Sequence, residues 1–263
     1  MKIGVIGVGV VGEAVYKGLL DLKHEVIAHD IRMDTKIEDV LHTEICFLCV
    51  PTPSKETGEC DTSIVEEVIS HLLELNYSGL ICIKSTVAPG TTKKLQERFK
   101  NKNICFVPEF LRERCAYEDF VNNHDLCVIG ANTDSNYELI KKAHGSLPEN
   151  FVKLSVTEAE FCKYYNNVYN ATLVTFANSF YELCEKQDAD YTKIKNTMTL
   201  RNQINGKYLD CNSDLRGFGG MCLPKDTRAM AFLAKNTNVE FFDCLLKENS
   251  KYKITVFDGM RDE

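Results

Sequence analysis

Cys222 sits behind a run of glycines and ahead of a lysine and a carboxylate, in Gly217-Phe218-Gly219-Gly220-Met221-Cys222-Leu223-Pro224-Lys225-Asp226. Glycine lets a chain turn tightly and approach a ligand closely, because no Cβ intervenes. Proline prefers the first position of a helix, so Pro224 predicts a helix with Lys225 and Asp226 in its first turn and Cys222 just ahead of it. A helix N-terminus and a neighbouring ammonium both favour the thiolate, the reactive form of cysteine. The plainer alternative is a turn around a half-buried structural cysteine, since a lone cysteine often packs as a small hydrophobe.

A second group of residues is suited to phosphates. The apolar run Lys2–Ile6 leads into Gly7-Val8-Gly9-Val10-Val11-Gly12 and then an apolar-periodic stretch through Ala14, Val15, Leu19 and Leu20. Strand, glycine turn and helix in that order form the context of a dinucleotide fingerprint. The first glycine permits the turn, the second admits the pyrophosphate to the backbone, and the third lets helix pack on strand. A strand at Glu25–His29 then ends at Asp30. A carboxylate there accepts ribose hydroxyls and repels a 2′-phosphate, which favours NAD; Arg32 is the one neighbour able to accommodate that phosphate.

These residues need an α/β frame to position them. Strands are expected at Glu44–Val50, Leu80–Lys84, Ile104–Val107, Asp125–Ile129 and Phe151–Leu154, alternating with helices at Asp61–Leu75, Thr91–Phe99 and Ser135–His144. The fold class is α/β: a Rossmann-like, mostly parallel sheet over residues 1–155. Three strand ends deliver Thr52, Thr86 and Glu109 to the edge where open α/β sheets bind ligands, although loops there are polar in any case. After Ser155, Thr157 and Glu160 read as a capping box opening a long helix to about Lys186. A mostly helical domain over 156–263 follows. On the long helix Lys163 and Asn167 share a face, as catalytic groups or as a solvated stripe. Tyr164, Val168, Leu173, Val174 and Phe176 spread apolar surface around it, which suggests burial between subunits of a homodimer. Residues 199–213 read as a polar loop able to meet phosphates, helices are expected over Thr227–Lys235 and near Phe241–Lys251, and Tyr252–Phe257 is left open between strand and helix end.

Composition narrows the classes. Of 263 residues 44% are hydrophobic and 26% charged, with a net charge of -7; this is globular composition without the basic footprint of a nucleic-acid or membrane-surface binder. No run is long enough to span a membrane and no signal peptide is evident. The 12 cysteines lack framework spacing, and Cys46 and Cys49 point to opposite faces of one strand. A soluble protein of a reducing, cytoplasmic compartment is expected.

Taken together the motifs resemble the UDP-glucose/GDP-mannose dehydrogenase family. The resemblance rests on Gly7–Gly12 with Asp30, Val50-Pro51-Thr52-Pro53, Lys84-Ser85-Thr86-Val87-Ala88-Pro89-Gly90-Thr91, Pro108-Glu109-Phe110-Leu111-Arg112-Glu113, Glu160 with Lys163 and Asn167, and Gly217–Asp226. It implies oxidation of the C6 alcohol of a nucleotide sugar to a carboxylate with two NAD consumed and no metal, UDP-glucose being favoured over GDP-mannose. The resemblance further implies that Cys222 traps the aldehyde as a thiohemiacetal that becomes a thioester; cysteine suits this because it is intrinsically nucleophilic. The resemblance implies that Lys163 stabilises negative charge on the reacting oxygen, Asn167 positions it, Glu109 is the base for hydrolysis, and Thr86 with Asp226 holds a water. Val8, Val10, Val11, Thr52, Thr86, Glu113 and Lys225 then lie near NAD with Gly7, Gly9, Gly12 and Asp30. Phe110, Leu111, Phe218 and Gly219 join Glu109, Lys163 and Asn167 at the sugar nucleotide, and the backbone over 213–219 meets it.

The sequence departs from the family pattern in three places. Arg114-Cys115 replace Gly-Thr after the Pro-Glu-Phe-Leu motif. Gln203 stands where an arginine commonly reaches a neighbouring subunit's substrate, with Arg201 two residues away. The chain stops where a second α/β domain is expected, so a minimal enzyme, an incomplete chain and a non-catalytic NAD-binding remnant are all consistent with the sequence.

Overall fold

A computed structural model describes residues 1–252. The Tyr252–Phe257 segment lies outside the described residues except for Tyr252. Two compact units are present: residues 1–53 with 60–163, and residues 54–59 with 164–252.

The first unit is built on seven strands, β1 (Lys2–Ile6), β2 (Glu25–His29), β3 (Ile45–Leu48), β4 (Leu80–Ile83), β5 (Ile104–Phe106), β6 (Leu126–Gly130) and β7 (Asn150–Leu154). Their order is β2-β1-β3-β4-β5-β6-β7. All neighbours are parallel except β5 and β6, which run antiparallel with Phe106 opposite Gly130. The central strands β3, β4 and β5 are buried along their whole length, as a sheet covered on both faces demands.

Side chains alternate between two cores. Ile3, Val5, Ile45, Phe47 and Cys82 meet Ala14, Val15 and Leu19 of α1 (Val10–Asp21) on one face. Ile6, Cys46, Leu48, Ile81 and Ile83 meet Val65, Ile69 and Leu72 of α2 (Ser63–Glu74) on the other. Strand order reverses between β1 and β3, so the loops after Ile6 and Leu48 flank a topological switch point, the ligand crevice of open α/β sheets. Cys46 and Cys49 fall on opposite faces, and burial raises both thiols, Cys49 to about 12. None of the twelve cysteines, all within the described residues, forms a disulfide.

The remaining helices of this unit are α3 (Thr91–Arg98), α4 (Ala116–Val121) and α5 (Asp134–His144). The long helix α6 (Val156–Lys186) opens differently from the sequence expectation. The reciprocal capping pair is Ser155 with Glu158: Ser155 N donates to Glu158 Oε2 at 2.8 Å and Glu158 N to Ser155 Oγ at 3.3 Å. Glu160 is instead fully buried and accepts from Gly90 N at 2.6 Å and Thr92 N at 2.7 Å. It thereby satisfies orphan N–H groups at the start of α3, behind the Thr86–Gly90 loop. The two overlapping T-x-x-E and S-x-x-E patterns are indistinguishable by spacing, and tertiary burial decided between them.

The second unit contains most of α6, with α7 (Tyr191–Met198), α8 (Leu223–Ala234) and α9 (Phe241–Asn249). Ala177, Cys184, Tyr191, Leu209 and Cys211 form one of its cores. The 199–213 segment has no helix or strand, as expected, and Tyr191 ties it down by donating its hydroxyl to Leu209 O at 2.8 Å.

Candidate active site

In the first unit the three glycines of the fingerprint have three distinct physical reasons. Gly7 adopts φ +87°, and a Cβ there would lie 2.7 Å from Cys49 O. A Cβ on Gly12 would lie 1.8 Å from Gly7 O, so only glycine lets α1 close on the turn. Around Gly9 nothing lies within 4 Å of the Cβ position. That open space sits at the N-cap of α1, which carries no side-chain cap; first-turn N–H groups left this way suit a phosphate. These residues fit a dinucleotide. Val10 is exposed, Val8 half-buried, and Val11 packs against the first core.

Asp30, at the end of β2, is buried and accepts from Val8 N at 2.7 Å. Arg32 donates to the same carboxylate from its own backbone N–H and from Nε and Nη2, at 2.8–3.0 Å. The hydrogen bond from the Arg32 guanidinium holds the Asp30 carboxyl well below the usual range, against the opposing effect of burial. Across the switch point Thr52 donates to Thr86 O at 2.7 Å, and Cys60 Sγ donates to the same carbonyl at 3.4 Å. The two loops that sequence reasoning singled out at Thr52 and Thr86 are therefore tied together.

The loop after β5 delivers Glu109 to Lys163 of α6. Lys163 Nζ donates to Glu109 Oε1 and to Glu109 O, both at 2.8 Å, with the side chains only 9% and 4% exposed for Glu109 and Lys163. Glu109 Oε2 accepts from Leu111 N at 2.7 Å. Phe110 packs on one core of the sheet and Leu111 on the other, so both contribute anchoring here. Arg112 fixes the far end of the loop through a bidentate pair with buried Asp119, at 2.9 and 2.6 Å, and Cys115 Sγ donates to Asp119 Oδ2 at 3.5 Å. The Arg114-Cys115 departure thus leaves the loop anchored. Glu113 is exposed at the start of a short 3₁₀ turn, Glu113–Cys115, and is not drawn to the other named groups.

In the second unit Asn167, Asp226 and Lys225 come together. Asn167 Nδ2 donates to Asp226 Oδ2 at 2.5 Å, and Lys225 Nζ donates to Asp226 Oδ1 at 2.6 Å. Asp226 is 1% exposed. Helix α8 begins one residue earlier than expected: Leu223 is its first residue, Pro224 the second, and Cys222 the N-cap. Cys222 is exposed, and its carbonyl accepts from Asp226 N at 2.9 Å. Arg201 and Gln203 are both exposed in the segment after α7.

Two functional candidates escaped the sequence. Asn249, at the end of α9, accepts from Phe218 N at 2.7 Å and donates to Phe218 O at 3.0 Å. Asn178, on α6, accepts from Arg216 Nε at 2.8 Å and Gly217 N at 3.3 Å. Arg216 lies between the Tyr181 and Tyr252 rings, 4.9 and 4.8 Å from their centroids, and pairs with Glu182. Together they pin residues 216–218, leaving Gly219, Gly220 and Met221 between the clamp and Cys222; Phe218 itself is buried. Polar helix residues carry no local sequence signal for partners 31–39 residues away.

Comparison with known proteins agrees with this anatomy. The chain is 35% identical over 224 residues to a UDP-glucose 6-dehydrogenase of Rickettsia bellii, which covers 81% of this chain and 51% of that protein. A UDP-glucose dehydrogenase of Pyrobaculum islandicum superposes with a TM-score of 0.85 at 26% identity, covering 95% of this chain and 68% of the other. A GDP-mannose dehydrogenase of Pseudomonas aeruginosa does so with a TM-score of 0.71, also at 26% identity, over 95% and 69%. The chain spans about half the length of the curated relatives it matches. Among the described residues no helix is long and apolar enough to cross a membrane. Residues 31–147 match the NAD binding domain of the UDP-glucose/GDP-mannose dehydrogenase family and residues 157–250 its central domain, and the chain belongs to that family.

Proposed function

We propose that the protein oxidises the C6 alcohol of UDP-glucose to the carboxylate in two steps through Cys222. NAD supplies the hydride acceptor for each step. The observation that carries the reading is the placement of Cys222 at the N-cap of α8, exposed, behind a glycine loop clamped by two buried amides. The pairing of Glu109 with Lys163 and of Asn167 with Asp226 supports the assigned roles.

In this account Asp30 receives the adenine-side ribose and the N–H groups of the Gly7–Gly12 turn receive the pyrophosphate. Thr52, Thr86, Glu113 and Lys225 line the cofactor, and Phe110, Leu111, Phe218 and Gly219 the sugar nucleotide. The alcohol loses a hydride and a proton to become the aldehyde. The Cys222 thiolate adds to its carbonyl carbon, and Lys163 stabilises the resulting oxyanion electrostatically while Asn167 orients it. Loss of a second hydride leaves a thioester. Glu109 then takes a proton from water held by Thr86 and Asp226, and hydrolysis releases the carboxylate and the thiol.

GDP-mannose is the second candidate, because identity to the solved enzymes named for UDP-glucose and GDP-mannose is the same, 26%. Product formation from the two sugar nucleotides separates them. Retained NADH output in Cys222→Ser refutes the thioester route.

The partner proposed for α6 is a second copy of this chain. Phe161, Tyr165, Tyr169, Phe176, Phe180 and Leu183 recur at intervals of about one or two helical turns and are all exposed, whereas Tyr164 and Val168 are buried in the monomer. Sedimentation should give a dimer and Tyr165→Glu a monomer; a monomeric wild type contradicts the assignment. Exposed thiols at Cys222 and Cys244 suit the reducing cytoplasm.

A further inference from the structure

The Asp30 carboxylate is fully occupied by this chain's own donors. Oδ1 accepts from Arg32 N and Arg32 Nε, at 2.9 and 2.8 Å. Oδ2 accepts from Val8 N and Arg32 Nη2, at 2.7 and 3.0 Å. A carboxylate offers about four lone-pair sites, so two ribose hydroxyls find none open. Arg32 Nη2 also donates to Val8 O at 3.0 Å, which lays the guanidinium from the end of β2 to the glycine turn, across the carboxylate. The four donors differ in mobility. Val8 N and Arg32 N belong to the backbone, whereas the guanidinium ends a side chain that is 69% exposed.

We infer that Arg32 is a built-in competitor of the cofactor for Asp30, displaced by the ribose hydroxyls on binding and so setting how tightly NAD is held. The inference rests on Asp30 as the ribose acceptor. Binding exchanges two charge-assisted hydrogen bonds from Nε and Nη2 for two from ribose, while the backbone donors keep the carboxylate in place. The released guanidinium turns to water at little cost, since an exposed arginine is already largely solvated.

Long-range electrostatics makes the opposite prediction. The cofactor carries an anionic pyrophosphate, and deleting a nearby cation should weaken its binding. Competition makes deletion strengthen it. The sign of the change therefore decides.

The test is fluorescence titration of the full chain with NADH, comparing wild type with Arg32→Met, Arg32→Gln and Asp30→Ala. Competition predicts that Arg32→Met lowers the dissociation constant by about three- to fivefold, the scale of an exposed ion pair, with a smaller gain for Arg32→Gln. Unchanged or weaker NADH binding in Arg32→Met overturns the inference. Asp30→Ala tests its premise separately and should weaken binding. If Asp30→Ala binds like wild type, the ribose assignment fails and the competition with it. If Asp30→Ala weakens binding while Arg32→Met does not strengthen it, the competition alone is refuted.

Discussion

One ammonium, Lys163 Nζ, reaches two oxygens of Glu109, the carboxylate Oε1 and the backbone carbonyl, each at 2.8 Å. The contact fixes both the charge and the path of the loop after β5. Removing the ammonium leaves a nearly inaccessible carboxylate without it, and breaking a buried pair costs about 3–5 kcal/mol. Lys163→Met should therefore lower unfolding stability by roughly 3 kcal/mol in urea. Adding Glu109→Gln should restore more than half of that loss, a coupling that a double-mutant cycle reads directly. Additive effects would mean that the pair is not coupled.

The glycine turn separates folding from cofactor binding. Gly12→Ala drives a methyl to 1.8 Å from Gly7 O, so α1 must shift and the variant should melt at lower temperature. Gly9→Ala meets nothing within 4 Å and should fold like wild type. It should nonetheless lose at least tenfold in NADH affinity, about 1.4 kcal/mol, because the methyl enters the space assigned to the pyrophosphate. Wild-type affinity in Gly9→Ala would remove that assignment.

The two buried asparagines should respond differently to aspartate. Asn178 uses its oxygen toward Arg216 and Gly217, and a carboxylate can still accept from both; its Nδ2 donates only back into its own helix, to Val174 O at 2.8 Å, and has no part in the clamp. Asn249 both accepts from and donates to Phe218, and a carboxylate cannot donate. Asn249→Asp should therefore slow alkylation of Cys222 or raise KM for the sugar nucleotide by about tenfold, the effect of losing one buried hydrogen bond at 1–3 kcal/mol. Asn178→Asp should stay within about threefold of wild type. The reverse order would contradict the clamp.

The first unit was legible because its signals are local. Unbroken apolar runs such as Ile45–Leu48 and Ile81–Ile83 require a sheet covered on both faces, and Gly7 and Gly12 each answer a steric demand at the turn while Gly9 leaves it open. The antiparallel pairing of β5 and β6 was not legible, since it rests on Phe106 opposite Gly130 and leaves no periodic trace. Glu160 was misread for a related reason. Its partners, Gly90 and Thr92, are about 70 residues away, and spacing alone favoured a local box with Thr157. Cys222, Lys163, Asn167 and Asp226 stood out by residue type in motifs, whereas Asn178 and Asn249 act only through long-range contacts.

Acid should destabilise the protein through two imidazoles. His124 and His144 pack against Phe120 and against each other. Burial, reinforced by the nearby Lys84 ammonium, lowers His124 to about 4 and holds His144 well below its ordinary value. The unfolded chain, with histidines near 6.5, binds more protons than the native one below that pH. Stability is thus full above about pH 6.5 and falls as pH drops toward 4, by about 1.4 kcal/mol per unit for each histidine once titration is complete. Glu160, raised by burial, acts in the opposite sense at the acid end. Urea midpoints between pH 7 and 5 should show the fall, and His144→Phe should flatten its slope; a pH-independent midpoint would contradict it.

The most direct test of the proposed reaction is NADH formed per UDP-glucose consumed by the purified chain, with Cys222→Ser beside it. Two NADH per sugar from wild type, with loss of glucuronate formation in the variant, is the predicted result. One NADH per sugar, or undiminished output from Cys222→Ser, would contradict a four-electron oxidation through the Cys222 thioester.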